Sequence, residues 1–262
     1  MLLKLFLCLL GVGLCASQKV NIESRIIKGN DAKKCEFPWM TFIYSKVQQF
    51  GCGGSIIDST HILTAAHCVA APNKTAEPSA NLDVYVGASA LEDAKILQVK
   101  TVKPHEKYSF KTAENDVAIL TLASPITFND CTKPISLVNA TTKLPNTDCT
   151  IMGWGATTDS KDDEGTYSLK YATVSILNDN ECQQHYERVF RPPLPSSIFC
   201  AKGIRGSDVC QGDSGGPLVC KESNGKYFVY GTVCGGYDCG KTASIFMKVS
   251  SFIPWIQSKI SN

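Results

Sequence analysis

Residues Gly206 to Pro217 read GSDVCQGDSGGP, a pattern that fits neither an amphipathic helix nor an alternating strand. Ser214 stands between Gly212-Asp213 and Gly215-Gly216. Glycine tolerates positive φ and lets backbone N–H groups come close to a ligand. On its own the stretch is a turn-rich surface loop, and only the rest of the chain can distinguish such a loop from a functional site.

The composition is that of a globular protein with a sizeable core. The chain has 262 residues, of which 44% are hydrophobic, and its formal net charge is +2. So small a net charge gives no electrostatic reason to expect nucleic acid or an anionic membrane as a partner. We expect neither.

The N-terminus predicts export. MLLKLFLCLLGVGLCAS has a lysine near its start, an apolar run to about Leu14 and small residues at Ala16 and Ser17. This is the organisation of a secretory signal peptide, which we assign to residues 1–16. The run is shorter than the roughly 20 apolar residues of a membrane span. We therefore expect a secreted, extracellular protein.

Cysteine usage agrees with export. Removing Cys8 and Cys15 with the signal leaves 11 of the 13 cysteines. Such density in an exported chain indicates disulfides, and the lack of a CxxC pair together with only four histidines argues against zinc. We expect no metal, and the odd count predicts one unpaired thiol.

Short β-type runs recur along the chain at the spacing of a sandwich or barrel. The predicted strands are Thr41–Val47, His61–Ala65, Leu82–Val86, Ile96–Val102, Val117–Leu122, Thr150–Trp154, Tyr171–Leu177, Pro217–Cys220 and Tyr227–Val233. Asn224-Gly225 predicts a hairpin between the last two strands. Helices are predicted at Asp179–Tyr186 and Ser251–Ile260. The pattern indicates an all-β chain with a terminal helix, and it leaves one sandwich or two barrels open.

Three further stretches give the loop a context. They are Thr64-Ala65-Ala66-His67-Cys68, Asn115-Asp116-Val117-Ala118-Ile119-Leu120 and Arg25-Ile26-Ile27-Lys28-Gly29. With Gly212-Asp213-Ser214-Gly215-Gly216-Pro217 they resemble the chymotrypsin-like (trypsin-family) secreted serine proteases, in which His, Asp and Ser follow in this order. The resemblance runs from Ile26 to the C-terminal helix.

The resemblance implies a fold and a domain organisation. The fold is two six-stranded antiparallel β-barrels with the active site between them, plus a C-terminal α-helix. Residues 26–262 would form the protease domain, with subdomains at roughly 26–137 and 138–262.

The resemblance also assigns catalytic roles. Ser214 would be the nucleophile, His67 the general base and acid, and Asp116 the carboxylate that orients the imidazole. A serine hydroxyl needs such a base, and the ordinary pKa of histidine suits it to both proton transfers. The backbone N–H groups of Gly212 and Ser214 would form the oxyanion hole, which explains the glycines.

Asp213 has its own implied role, in activation. In this family the corresponding acid pairs with the α-amino group that cleavage releases. Arg25-Ile26 fits such a cleavage site, so residues 17–25 would be an activation propeptide of a zymogen.

The cysteines are paired by the same resemblance. It implies the bridges Cys52–Cys68, Cys149–Cys220, Cys182–Cys200 and Cys210–Cys239. Cys35 and Cys131 stand outside the commonest family positions, and we pair them because both lie in the first half of the chain. Cys234 remains as the free thiol, where the family usually has a serine that contacts the triad aspartate.

Substrate preference follows from Asp208, which by resemblance lies at the base of the primary specificity pocket. Gly236 keeps one pocket wall open, while Ser244 replaces a second wall glycine and narrows the slot. Val209 removes a hydroxyl that could bind a lysine ammonium, and a guanidinium can bind a carboxylate in bidentate fashion. We expect cleavage after Arg in preference to Lys.

Other departures concern the cleft. Gly235 stands where most relatives have a tryptophan, and the loop Val69–Asn81 is longer than in trypsin. Sequons predict glycosylation at Asn73 and Asn139. The expected partners are protein or peptide substrates, an activating protease and protein protease inhibitors, and no cofactor is expected.

Two alternatives remain open at this point. One is chymotrypsin- or elastase-like specificity. The other is a catalytically silent binding homologue.

Overall fold

Antiparallel strands dominate the computed structural model of this chain. It describes residues 29–71, 75–156, 167–190, 193–236 and 241–261. In these ranges the strands are β1 (Asn30–Asp31), β2 (Met40–Ser45), β3 (Phe50–Ile56), β4 (His61–Thr64), β5 (Leu82–Val86), β6 (Lys95–Pro104), β7 (Ala118–Leu122), β8 (Ser136–Leu137), β9 (Cys149–Gly153), β10 (Lys170–Ile176), β11 (Ile198–Gly203), β12 (Pro217–Lys221), β13 (Tyr227–Gly236) and β14 (Ser244–Lys248). The α-helices of the same ranges are α1 (Asp179–Phe190) and α2 (Ile253–Ile260). The predicted signal peptide, Arg25, Ile26, Asn73 and Cys239 lie outside the described residues.

Six strands close into a first barrel in the order β2-β3-β4-β7-β6-β5. Every neighbouring pair is antiparallel. β5 reads LDVYV and alternates between buried and half-buried residues, as a strand with one face on a core does. The inward side chains are aliphatic, among them Ile43, Ile62, Val84 and Leu120.

The second barrel consists of β9-β10-β11-β14-β13-β12, and β12 pairs again with β9. Here β1 extends the sheet beside β10, and β8 lies parallel to β13. The predicted fold of two six-stranded antiparallel β-barrels with a C-terminal helix is confirmed. The closed strand orders also settle the question, left open by the sequence pattern, of one sandwich or two barrels.

Local signals fixed several boundaries. Gly225 has φ of 80°, and its N–H donates to the carbonyl of Glu222 at 2.8 Å, so the predicted Asn224-Gly225 turn joins β12 to β13. Asn178 Oδ1 accepts the N–H of Glu181 at 3.0 Å, which makes Asn178 the N-cap of α1. α1 begins at Asp179 as predicted and continues beyond the predicted end to Phe190.

Three strands of the barrels were not predicted: β3, β11 and β14. β3 reads FGCGGSI, and its glycines gave no β signal. One of them, Gly51, leaves room for the ring of Phe42, because a Cβ there would lie 2.1 Å from that ring.

Disulfides join distant parts of the chain. The bridges between described cysteines are Cys35–Cys131, Cys52–Cys68, Cys149–Cys220 and Cys182–Cys200. Cys210 is also disulfide-bonded, and its predicted partner, Cys239, lies outside the described residues. Cys234 is the free cysteine of the described part.

The C-terminal helix α2 leaves the second barrel and docks against the end of β6 in the first. A short 3-10 turn, Val249–Phe252, precedes it, and Pro254 stands in its first turn, where the missing N–H costs little. The ring of His105 packs on Trp255 with centroids 4.8 Å apart. Glu106 accepts the Trp255 indole N–H at 2.9 Å and forms an ion pair with Lys259. No helix in the described ranges has the length and apolar character needed to cross a membrane.

The docking of α2 should depend on pH through Glu106. Its hydrogen bond from Lys259, aided by the one from Trp255, lowers the pKa of Glu106 to about 2 from its ordinary 4.5. A depressed carboxyl pKa contributes stability that is present above pH 4.5 and lost as the pH falls toward 2. The Glu106 side chain is 60% exposed, so solvent screening limits the effect of Glu106→Gln to about 1 kcal/mol or less.

Urea unfolding measures the free energy of unfolding of the wild type and of Glu106→Gln. The variant should be less stable than the wild type at pH 7, and the difference should be smaller at pH 3. Glu92→Gln, at an exposed acid of the first barrel, serves as the control. Equal losses at both pH values would contradict the role of the Glu106 carboxylate.

Candidate active site

His67 lies directly after β4, on the 3-10 turn Ala66–Cys68. Ala65 and Ala66 are fully buried, and the bridge from Cys68 to Cys52 ties the turn to β3. The imidazole is 22% exposed, so one of its nitrogens can meet a ligand while the backbone beneath it is fixed.

Asp116 holds this imidazole in place. Its Oδ2 lies 2.6 Å from Nδ1 of His67, and its Oδ1 accepts the His67 backbone N–H at 2.8 Å. The carboxylate is buried. Burial lowers the pKa of His67, but the charge and the hydrogen bond of Asp116 outweigh burial and raise that pKa above 6.5. Asp116 therefore orients the ring and stabilises its protonated form.

Two further groups lie around Asp116. Burial, the charge of Asp116 and a hydrogen bond to it all raise the pKa of the Cys234 thiol, so the thiol stays protonated and donates to the carboxylate. The phenol of Tyr108 is buried, and burial and the same charge raise its pKa. Sequence reasoning identified Cys234 but missed Tyr108, for which no local motif exists.

Ser214 stands on the tight turn that precedes β12, and this turn contacts both β3 and β13. Its carbonyl accepts the N–H of Gly53 at 2.7 Å, and the next N–H, of Gly215, donates to Val233 at 2.8 Å. Cys68 Sγ lies 3.7 Å from Nε2 of His67 and 3.6 Å from the Ser214 carbonyl oxygen, so the turn and the imidazole adjoin the same disulfide. In the described part of the chain, no hydrogen bond joins the Ser214 hydroxyl to His67. Such bonds are often long until a ligand binds.

Along the turn around Ser214, backbone N–H groups with a hydrogen-bond acceptor alternate with N–H groups that have none among the described residues. Asp213 donates to the Cys210 carbonyl at 3.1 Å and Gly215 donates to Val233, whereas the N–H groups of Gly212 and Ser214 have no partner among the described residues. Gly212 has φ of 94°, a backbone conformation that residues with a side chain rarely adopt. Two such donors, two residues apart, are what the expected oxyanion hole requires.

Asp213 is fully buried between two glycines. Its carboxylate accepts the N–H groups of Gly155 and Cys210 at 2.8 and 2.9 Å. A Cβ at Gly153 would lie 2.1 Å from Oδ1 of Asp213, and one at Gly155 would lie 2.7 Å from its Cγ. Burial raises the pKa of Asp213 to about 7; the two N–H donors oppose the rise and Asp208 adds to it.

The expected pocket residues adjoin one another. Asp208 and Ser244 are both buried, and the Ser244 hydroxyl donates to Oδ1 of Asp208 at 2.7 Å. The same oxygen accepts the Val209 N–H at 2.9 Å. Gly236 pairs with Ser244, and a Cβ at Gly236 would lie 3.0 Å from the Ser244 hydroxyl. Ser244 therefore fills space between the wall glycine and the carboxylate.

Cys52, His67 and Cys68 bring three candidate metal ligands within 4.8 Å of one another. The two sulfurs are bonded to each other, however, and metals bind the thiolate form of cysteine. The two cysteines of this cluster therefore form a structural disulfide beside His67, and the cluster is not a metal site.

The long loop after His67 forms a small hairpin stem. Ala71 donates to the Thr75 carbonyl at 3.0 Å, and Glu77 donates to Val69 at 2.8 Å. The Glu77 carboxylate accepts the buried Ser45 hydroxyl at 2.7 Å, which anchors the stem to β2. Asn139, in the second sequon, is exposed.

Comparisons with known proteins agree on one family. The family model described as Trypsin matches residues 26–256. A trypsin of Phaedon cochleariae is 36% identical over 264 residues, which cover 97% of each chain. Protein masquerade of Drosophila melanogaster and transmembrane protease serine 7 of Mus musculus are each 32% identical over 254 residues. These matches cover 91% and 93% of this chain but only 23% and 29% of the two longer relatives.

The geometry predicts how His67 titrates. We expect an NMR-detected pKa above 6.5 for His67, and Asp116→Asn should lower that pKa because the partner charge is lost. The protonated ring contributes stability that is present below pH 6.5 and lost as the pH rises through the folded-state pKa.

His185 provides an internal reference for this titration. Burial and the nearby cations Arg188 and Lys202 lower its pKa below 6.5, and Asp116 is not among the causes. A His67 pKa that does not respond to Asp116→Asn would contradict the assignment of the pair.

Proposed function

The chain belongs to the trypsin family of serine proteases, and we therefore propose that it is a secreted serine endopeptidase that hydrolyses peptide bonds after Arg, less well after Lys. The observation that carries the proposal is the buried Asp116–His67 pair beside a turn whose N–H groups at Gly212 and Ser214 are unpaired. Residues 1–16 would be a signal peptide, 17–25 a propeptide and 26–262 the protease domain.

The proposed reaction is acyl transfer through Ser214. Its Oγ forms a bond to the scissile carbonyl carbon while its proton passes to Nε2 of His67. Collapse of the tetrahedral species breaks the C–N bond, and His67 gives the proton to the leaving amine. A water molecule then repeats the sequence, and its attack releases the acid and restores the Ser214 hydroxyl.

Each supporting group has a chemical task in this proposal. The Gly212 and Ser214 N–H groups donate to the oxyanion, and loss of one such donor typically costs about 10²–10³ in rate. Asp116 keeps the Nδ1 proton of His67 in place and stabilises the imidazolium.

Activation is proposed to depend on Asp213. A carboxylate buried to this degree is costly as an isolated charge, and burial already raises the pKa of Asp213 to about 7. Cleavage after Arg25 would supply an α-amino group at Ile26 as its cation. The resulting ion pair would hold the turn from Gly212 to Ser214 in the oxyanion-binding conformation.

Specificity is proposed to come from Asp208. The Ser244 hydroxyl and the Val209 N–H both donate to one carboxylate oxygen of Asp208. The Ser244 side chain lies against this carboxylate, so it narrows the pocket through which a substrate cation would reach Asp208. Arg carries five N–H donors on a planar fork and can divide them between Asp208 and the Ser244 hydroxyl, whereas Lys is a point charge.

Specific observations keep the two alternatives open. Ser244 narrows the pocket, which within the first alternative favours a smaller, elastase-like side chain. The missing bond between the Ser214 hydroxyl and His67 among the described residues favours a catalytically silent binding homologue.

The activation scheme predicts that Arg25→Gln yields a folded, secreted and inactive protein. Treatment of the wild type with a trypsin-like activator should make Ser214 reactive toward an organophosphonate, and the variant should stay unlabelled because its ion pair cannot form. Mass spectrometry measures the label, and Ser214→Ala is the control. Equal labelling of both proteins without cleavage would contradict activation at Arg25-Ile26.

The specificity assignment predicts the order Arg, Lys, then Phe and Ala in kcat/KM on matched peptide substrates of the activated protein. Asp208→Ser should reduce the value for Arg at least about thirtyfold, since loss of a buried charge partner costs about 2–5 kcal/mol. Asp148→Ser, at an exposed acid, is the matched control. A wild-type preference for Phe or Ala, or an indifferent Asp208→Ser, would favour the chymotrypsin- or elastase-like alternative.

A further inference from the structure

The segment that leads into Asp116 has an unfavourable backbone conformation. Ala113 and Asn115 have φ of 54° and 56°, in the left-handed region. Asparagine enters this region readily, whereas alanine rarely does, because its Cβ then lies too close to the following carbonyl oxygen. Residues in such conformations persist only where the surrounding structure determines them. Asp116 follows Asn115 directly, so the contacts that hold these two residues also decide where the carboxylate lies.

Local hydrogen bonds close this segment into a loop on the first barrel. The Ser109 N–H donates to the Glu114 carbonyl at 2.9 Å, and the Asn115 side-chain amide donates to the Lys107 carbonyl at 3.0 Å. The Thr112 hydroxyl donates to the Glu114 carboxylate at 2.8 Å. Glu114 and Lys107 are exposed, so water competes for these bonds.

The second barrel supplies a further hydrogen bond to the same loop, from a buried donor. The Tyr186 hydroxyl donates to the Thr112 carbonyl at 2.7 Å, directly before Ala113. The Tyr186 side chain is fully buried. Burial and the charges of Glu114 and Cys234 raise the pKa of its phenol to about 12, so the hydroxyl stays protonated and can donate. A donor shielded from water makes a stronger bond than an exposed one.

Helix α1 gives Tyr186 a rigid support. Cys182 lies four residues before Tyr186, on the same face of the helix, and both side chains are buried. The Cys182–Cys200 disulfide ties this face to β11 of the second barrel. Tyr186 therefore connects a fixed element of the second barrel with the loop of the first barrel that carries Asp116.

We propose that Tyr186 is a positioning residue for Asp116: its hydroxyl holds the Thr112 carbonyl and so keeps the Asp116 carboxylate against His67. The inference rests on the proposed function and adds to it a contact between the barrels that acts without touching the substrate. The hydroxyl reaches Asp116 through four residues of loop backbone, which include the left-handed Ala113.

The titratable groups of the described chain that interact with Asp116 are His67, Tyr108 and Cys234. Of these, His67 is the group whose proton the reaction uses, and Asp116 raises its pKa. The pKa of His67 therefore reports how firmly the carboxylate is held, and a purely structural role of Tyr186 would leave that pKa unchanged.

The first measurement is the pH dependence of kcat/KM of the activated protein on an Arg substrate. Tyr186→Phe keeps the ring and removes only the hydroxyl. With Asp116 held less firmly, His67 should have a lower pKa, so the acid limb of the profile should move to lower pH. The plateau should fall about fivefold, a change that an unsatisfied buried acceptor is large enough to produce.

Tyr230→Phe is the matched control. Tyr230 is also a buried tyrosine of the second barrel, and its hydroxyl donates to Glu222 at 3.1 Å, away from the loop. This variant should change neither the acid limb nor the plateau. Titration of active sites with an organophosphonate corrects each protein for the fraction of competent molecules. A Tyr186→Phe profile whose acid limb stays at the wild-type pH would overturn the proposal.

Ala113→Gly tests whether the effect passes along the loop backbone. Glycine adopts positive φ without the penalty that alanine has, so position 113 should need less support from the Tyr186 bond. The loss of kcat/KM caused by Tyr186→Phe should therefore be smaller in the Ala113→Gly protein than in the wild type. An equal loss in both proteins would contradict a path through Thr112 and Ala113.

Direct titration of His67 separates this proposal from the proposed function. NMR of the imidazole in the cleaved Ser214→Ala protein needs no turnover. A His67 pKa that falls with Tyr186→Phe but not with Tyr230→Phe would support the positioning role even if the wild type failed to hydrolyse Arg substrates. Hydrolysis of Arg substrates together with the same His67 pKa in all three proteins would retain the protease and reject the role of Tyr186.

Discussion

The two barrels meet through backbone atoms, and this close approach sets the geometry of everything between them. Gly53 donates its N–H to the Ser214 carbonyl at 2.7 Å, and a Cβ at Gly53 would lie 2.7 Å from the Cα of Gly216. The Gly53 carbonyl accepts the Thr64 hydroxyl at 2.8 Å, three residues before His67. The same junction therefore fixes both the turn of Ser214 and the strand that ends at His67, and any side chain at Gly53 would separate them.

Two buried carboxylates at this junction differ in what they meet. Asp116 meets an imidazole that can carry the compensating charge, and the pair is held by two contacts of 2.6 and 2.8 Å. Asp213 meets only N–H donors among the described residues, and burial raises its pKa to about 7. Asp116 thus already has a partner in the folded chain, the imidazole of His67. The other has no cation beside it among the described residues, and the proposed pairing with the α-amino group of Ile26 would supply one.

The sequence predicted those features whose signal is local. β5 showed alternation, Asn224-Gly225 predicted its turn, and the motifs around His67, Asp116 and Ser214 fixed the family and hence both barrels. β14 reads SIFMK with four consecutive buried residues, and such a strand has no alternation to detect. The contacts of Cys234 with Asp116, and of Phe42 with Trp154, join residues far apart in the chain. They depend on how the barrels close, and no window of sequence contains both partners.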